Sequence, residues 1–300
     1  MTCYSPLKGY ENKSGGRVVF EYGPLAGESI ELRCNQCIGC RIDKSKEWAA
    51  RIVHESQMHQ DNCFVTLTYD EENVPHDHGL NKAHFQKFMK KLRKRFNDRE
   101  IRYFHCGEYG EQEGKRPHYH ACIFGLDFDD RVPWSATNNV VVDVSDTLTE
   151  IWGKGHCTVG ELNYQTAAYT SRYILKKITG ERAERHYERV NAYTGEIHQV
   201  APEYITMSLK PGIGKSFYEK YESDFFPSDE CPVPGKGVFP KAPKYYETIY
   251  EKQNPEQHEK IKAKRREHLL KNVDEYSTRR LTTKQKVKEA QLSQLKRNSI

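Results

Sequence analysis

The sequence predicts an α+β fold with a central antiparallel sheet flanked by helices. Three stretches carry that prediction. Cys63–Asp70 (CFVTLTYD) alternates cleanly and is rich in β-branched and aromatic residues, as a half-buried strand requires. Lys82–Asn97 places Phe85, Phe88, Met89 and Leu92 at i, i+3, i+4 and i+7, so a helix buries one face and leaves a Lys/Arg stripe on the other. Ile101–Tyr109 and Pro117–Leu126 read as two more strands, joined by the charged turn GEQEGKR into a hairpin with a long loop.

Residues 1–33, punctuated by Gly, Ser and Pro, read as an irregular arm with a candidate strand at Arg17–Tyr22. Asp43 or Ser45 can cap a following helix that carries Trp48, Ala49, Ile52 and Val53 on one face. Beyond the hairpin and a Pro/Asn-containing stretch, a short helix is expected around Ser145–Trp152 and a strand at GHCTVGEL. A helix over Tyr164–Ile178 and a strand at Tyr204–Leu209 follow. Pro-rich Pro227–Pro243 reads as a linker into a polar tail, helical in part or ordered only by a partner. Four regions result: an N-terminal Cys-containing extension (1–60), a core (61–210), a linker region (211–250) and a basic tail (251–300).

Length allows a sizeable core and one or two domains. The net charge of +5 is unevenly spread. Lys82–Arg102 holds 9 Lys/Arg against 2 Asp/Glu, and Glu251–Ile300 holds 14 against 7, so each carries +7 and the remainder about −9. Concentrated cations on an otherwise acidic chain imply a polyanionic partner, with nucleic acid first among them. Lys87, Lys90, Lys91, Lys94, Arg116 and Arg172 are the candidate DNA contacts; the bland alternative is solvated faces. Nine cysteines without a charged-then-apolar leader argue against a secreted disulfide framework and for a reducing cytoplasm. No apolar run approaches the roughly 20 residues of a membrane span.

His118 and His120 are two apart on a strand, so their imidazoles share a face with Tyr119 pointing away. Apolar ACIFG anchors that strand, and Glu108, across the hairpin, can add an oxygen ligand to a divalent-metal site. His76 and His78 repeat the H-x-H spacing between Pro75 and Gly79 with no strand after them, and read as loop histidines. Tyr169 and Tyr173 stand at i and i+4, so both hydroxyls point the same way, and Lys176 and Lys177 extend that face with positive charge. Such a pair suits attack on a phosphodiester, or is simply packed on a core. Cys34, Cys37 and Cys40 repeat as C-x2-C-x2-C and would form a structural zinc site with a fourth ligand, for which Cys3, His54 and His59 are available. The alternative is reduced, idle thiols. Pro211–Tyr221 (PGIGKSFYEKY) lacks the first glycine of a phosphate loop, since Leu209 stands there, and reads as a turn entering a helix.

The ordered set FVTLTY, PHYHACIF and Y-x-x-x-Y followed by Lys resembles the signature of the two-tyrosine HUH endonucleases that initiate rolling-circle replication. CIGC, GEYGE, RPHYH and YTSRYILKK look more specifically like the replication initiators of microviruses of the gokushovirus group. The resemblance spans Cys34 to Lys177 and implies an HUH, RRM-like core. It implies Mg²⁺ or Mn²⁺ held by His118, His120 and Glu108, a tyrosine attacking the scissile phosphate to give a 5′-phosphotyrosine, and Lys176 or Lys177 as helper. It also implies single-stranded or supercoiled origin DNA as partner, a host helicase and polymerase, and the host cytoplasm as the setting. The alternatives are a non-catalytic single-stranded nucleic-acid-binding protein, or a transposase of the same chemistry.

Overall fold

The N-terminal arm is a hairpin: β1 (Leu7–Asn12) pairs antiparallel with β2 (Ala26–Leu32). The expected strand at Arg17–Tyr22 does not form, and within it only Val19 bridges, to Tyr10. Val18, Val19 and Phe20 are consecutive rather than alternating, so no single face of such a strand could be buried. The computed structural model describes residues 3–110, 116–137, 140–172, 182–190 and 195–294. They divide into two units, Met1–Lys44 with Asn254–Ser299, and Ser45–Gln253.

The next helix, α1 (Ile38–Ser56), begins well before the expected caps. Its hydrogen-bond ladder starts from the Cys37 carbonyl, which accepts from Arg41 N at 3.0 Å. Asp43 therefore lies inside the helix and pairs with Arg33 at 2.7 Å, while Ser45 Oγ meets Ser171 Oγ at 3.0 Å.

From Ser45 to Gln253 the elements are β3 (Asn62–Thr68), α2 (Lys82–Arg95), β4 (Arg102–Tyr109), β5 (Pro117–Phe124), β6 (Val132–Thr137), β7 (Val140–Val144), α3 (Asp146–Trp152), β8 (Cys157–Gly160) and α4 (Tyr164–Arg172). Then come α5 (Arg182–His186), β9 (Glu188–Val190), β10 (Ile197–Gln199), β11 (Tyr204–Met207), α6 (Lys215–Lys220), β12 (Cys231–Val233), β13 (Gly237–Phe239) and α7 (Lys244–Gln253). Seven strands form one antiparallel sheet in the order β11-β4-β5-β3-β8-β7-β6. The α+β reading holds. The sheet is longer than expected, because the Pro/Asn-containing stretch supplies β6 and β7 as its far edge.

Alternation along the central strands divides labour between the two faces. On one face Leu67, Tyr69, Tyr119, Ala121 and Ile123 meet Phe85, Phe88, Met89 and Leu92 of α2 and Leu148 and Trp152 of α3, all buried. Phe85 lies flat on His105 with ring centroids 3.5 Å apart. Local signals agree with these helices. Asn81 caps α2 by accepting from Ala83 N, and Ser145 caps α3 by accepting from Leu148 N. Gly153, left-handed at φ 58°, closes α3. The opposite face carries Phe64, Thr66, Phe104, Glu108, His118, His120 and Cys122, and is covered by α4 and by Trp48 of α1, whose ring centroid lies 5.1 Å from that of Phe104.

The stretch expected as a linker is folded. Phe217, Tyr218, Phe225, Phe226, Cys231, Val233 and Tyr246 are buried, and aromatic density rather than Pro content decides the outcome. They build a small second core around His54, which stacks on Phe217 at 4.4 Å and bonds Tyr246 Oη at 3.0 Å and the Pro232 carbonyl at 2.8 Å. Pro211–Tyr221 is a turn entering a helix, as read, and Gly214 N donates to buried Glu55 Oε2 at 2.6 Å. Glu55 also accepts from Arg102 Nε at 2.5 Å.

The polar tail is helical, as α8 (Pro255–Lys271) and α9 (Thr278–Gln294), with Ile261 and Leu281 buried. Among the described residues no helix is long and apolar enough to cross a membrane.

Candidate active site

The β4–β5 register sets Glu108 directly opposite His118, with His120 two residues along the same face. Glu108 Oε1 lies 2.7 Å from His118 Nε2 and 2.9 Å from His120 Nε2. The outer nitrogens are held as well: His118 Nδ1 is 3.2 Å from the Arg116 carbonyl and His120 Nδ1 is 2.9 Å from Thr66 Oγ1. A carbonyl can only accept, so His118 Nδ1 carries the proton and the neutral ring turns its Nε2 lone pair toward a carboxylate oxygen. Acceptors converging on acceptors are the donor set of a cation site. The three ligand atoms lie within 4.8 Å of one another, and these residues could hold a metal ion. Burial alone would push the Glu108 carboxyl up, but hydrogen bonds with His118 and His120 outweigh it and bring its pKa to about 2. The carboxylate is therefore ionised at neutral pH.

Helix α4 brings Tyr169 to this cluster. Its hydroxyl is 3.4 Å from Glu108 Oε1 and 3.5 Å from His120 Nε2, and its ring meets His120 edge-on at 5.0 Å. The helix is seated by Thr170 against Cys122 at 3.7 Å and by Ser171 against Ser45. Tyr173, Lys176 and Lys177 lie outside the described residues.

The candidate DNA contacts separate. Arg116 and Arg172 lie beside the cluster. Arg116 donates to the Tyr69 carbonyl at 2.8 Å and pairs with Glu71, and the Arg172 guanidinium stands 5.9 Å from the Tyr169 ring centroid. Lys87, Lys90, Lys91 and Lys94 are exposed on α2, which covers the other face of the sheet. Thr66 escaped the reading of β3 as pure scaffold. Its signal was a hydroxyl in the middle of an apolar strand, a group that needs a partner once buried. His76 and His78 lie in a loop, as read, His78 with φ 51°.

A second set of ligands lies in the other unit. Cys3, Cys34, Cys37 and Cys40 bring their sulfurs within 4.8 Å of one another and could likewise hold a metal ion. The fourth member is Cys3. His54 is committed to Tyr246 and Pro232, and His59 to Glu55 at 3.5 Å. Burial drives Cys40 up to about 12. At Cys37 the same push is outweighed by backbone N–H groups of Cys40 and Tyr4, bringing it to about 7.

The family model of the ORF2-type replication-associated proteins matches residues 62–178, the span that holds Thr66, Glu108, His118, His120 and Tyr169. Replication-associated protein VP4 of Bdellovibrio phage phiMH2K is 32% identical over 274 residues, covering 88% of this chain and 82% of that protein. Replication-associated protein ORF2 of Spiroplasma virus 4 is 32% identical over 276 residues, covering 84% of this chain and 81% of that protein. Replication-associated protein ORF4 of Chlamydia phage 1 is 31% identical over 158 residues, 50% of this chain and 39% of that protein. No solved structure matches significantly. Likeness over most of both chains goes beyond shared site residues, and it makes this chain a member of the ORF2-type family of replication-associated proteins.

Proposed function

We propose that this protein is a site-specific single-strand DNA endonuclease and strand transferase that starts and ends rolling-circle replication of a small single-stranded DNA phage genome. The observation that carries the reading is the Tyr169 hydroxyl at 3.4 Å and 3.5 Å from the Glu108–His120 pair, a nucleophile at the edge of a cation site. Glu108, His118 and His120 would hold Mn²⁺ or Mg²⁺, the two imidazoles favouring Mn²⁺, and the ion would polarise the scissile phosphate. Thr66 and the Arg116 carbonyl hold the two imidazoles in position. The Tyr169 oxygen attacks phosphorus, a Tyr–O–P bond replaces the P–O3′ bond, and the proton lost by the phenol balances the one gained by the departing 3′-hydroxyl. One ester replaces another, so the strand can be rejoined. Tyr173, one helical turn on, is the second nucleophile for the new origin, with Lys176 or Lys177 neutralising phenolate charge. Arg116 and Arg172 lead the substrate strand to Tyr169. Host helicase and polymerase in the host cytoplasm supply unwinding and synthesis. The four thiolates of the other unit match zinc, a structural ion with no part in the transfer.

Incubation with single-stranded origin DNA and Mn²⁺ tests this reading. Wild-type protein should give a covalent adduct that survives denaturant, and Tyr169→Phe should lose it. A Tyr169→Phe/Tyr173→Phe double variant that still forms the adduct would exclude the tyrosine mechanism.

A further inference from the structure

We propose that zinc on Cys3, Cys34, Cys37 and Cys40 is a clamp that holds the N-terminal arm on the first turn of α1 and, through Tyr4, keeps α9 seated within the same unit. The inference rests on the zinc reading of this site and adds to it a consequence for the C-terminal helix.

Cys3 Sγ lies 3.6 Å from Cys34 Sγ, and Cys34 Sγ lies 4.0 Å from Cys40 Sγ. Four sulfurs at Zn–S distances of about 2.3 Å in a tetrahedron stand about 3.8 Å apart, so these separations bracket that value. All four are free thiols. Three backbone N–H groups point at sulfur: Tyr4 N at Cys37 Sγ (3.3 Å), Cys34 N at Cys3 Sγ (3.4 Å) and Cys37 N at Cys34 Sγ (3.2 Å). A thiol is a weak acceptor, whereas a metal-bound thiolate rewards such donors. A four-iron cluster would place each cysteine on a separate iron, which this tight knot of sulfurs does not suit.

The clamp follows from where the ligands come from. Cys3 and Cys34 enclose β1 and β2, so the ion closes the loop that holds the hairpin, and Cys40 ties that loop to α1. Neither hairpin strand buries much: in β1 only Gly9 is buried, in β2 only Ala26. So little buried surface leaves the metal as the main fastening. Tyr4, next to Cys3, lines a cleft with Thr283, Val287 and Gln291 of α9, flanked by Arg280, Lys284 and Lys288. Leu281 is the one buried residue of that helix. Losing Cys3 from the metal therefore removes one wall of the seat of α9.

Full-length protein, dialysed against metal-free buffer, is analysed for metal by mass spectrometry, and its thiols are counted after denaturation. One zinc per chain is expected, with at least a tenfold loss in Cys3→Ser. No zinc, iron in its place, or a disulfide among the four overturns the zinc reading. Trypsin cleavage after Arg279, Arg280, Lys284, Lys286 and Lys288 is then followed in wild type, in Cys3→Ser, and in chelator-stripped wild type with and without added zinc. Cleavage should be at least tenfold faster without zinc and slowed again by adding it to the stripped wild type. Zinc bound in wild type and lost on stripping, with cleavage in α9 unchanged, would leave the ion in place and overturn the clamp.

Discussion

Tyr119 stands between two candidate metal ligands and faces the other way. Its hydroxyl bonds Tyr69 Oη at 2.8 Å and the Asn81 carbonyl at 3.0 Å, within an aromatic layer under α2 and α3. His118 and His120, one residue to either side, reach Glu108 and Tyr169 under α4. One face of the sheet is a packed wall and the other is a polar site resting on it. The wall makes the site rigid, because strands whose backs are locked by Phe85, Phe88 and Trp152 cannot shift their front side chains independently.

The largest expected effect tests that division directly. His120→Ala should lower DNA cleavage by about 10²–10³-fold or more, as removal of a group that supports charge in the transition state does, while DNA binding persists. Tyr119→Phe should leave cleavage within about twofold but cost about 1–3 kcal/mol of unfolding free energy, since it strips a buried hydroxyl from its partners. Cleavage kinetics and urea unfolding on both variants check the pair. Comparable cleavage losses in the two would mean that the faces are not functionally separate.

Acid should attack the wall and the second core. Burial holds the His105 ring neutral, with its pKa down at about 3, and holds His54 down at about 4. In the unfolded chain both titrate near about 6.5. Each contributes its full stability above that value and loses it as pH falls through the folded pKa, because the unfolded state takes up protons that the fold refuses. Unfolding free energy should therefore drop between pH 6.5 and 4 by on the order of 3 kcal/mol per ring. His105→Phe, stacked on Phe85, should remove about one proton from the slope. A pH-independent stability across this range would contradict the buried neutral rings.

Thr66→Val is a subtler change, aimed at the site from behind. It keeps the shape of β3 and removes the hydroxyl 2.9 Å from His120 Nδ1. Groups that orient a metal-ligating imidazole typically account for 10–100-fold in metal affinity. Calorimetric Mn²⁺ titration should show a weakening of about that size with the fold intact. An unchanged affinity would mean that stacking on Phe64, 5.6 Å away and nearly parallel, suffices to aim the ring.

Much of this was readable in the chain. Alternation in CFVTLTYD and PHYHACIF, the i, i+3, i+4, i+7 stripe of α2 and the Ser145 cap of α3 are local signals, and local signals decide those elements. The H-x-H on a strand and the tyrosine on a helix were visible for the same reason. The misses are non-local. The partner of Cys34, Cys37 and Cys40 comes from Cys3, thirty-one residues before Cys34, and no periodicity announces such a contact. The 211–250 segment carries prolines that mark a linker, yet its aromatics find His54, an α1 residue far away in sequence. Thr66 was passed over because a β-branched residue in a strand needs no further explanation until its hydroxyl partner is seen. Above all, the periodicity of α2 shows that one side is buried but not which face of the sheet buries it. That choice depends on strand order, β4-β5-β3 rather than chain order.

That last point yields the smallest expected effect on chemistry. Lys87, Lys90, Lys91 and Lys94 project from α2 on the face away from Glu108, His118 and His120. A short oligonucleotide spanning only the scissile phosphate therefore has no reason to touch them. Replacing all four with Gln should leave its cleavage within about twofold. A longer DNA that wraps the sheet edge would still feel the change as a flatter salt dependence of binding, by up to about 3 in the logarithmic slope for single strands. Both numbers come from one variant, cleavage of the short strand and salt titration of the long one. A tenfold loss on the short oligonucleotide would place the basic stripe in the substrate path, and the opposition of the two faces would then describe packing alone.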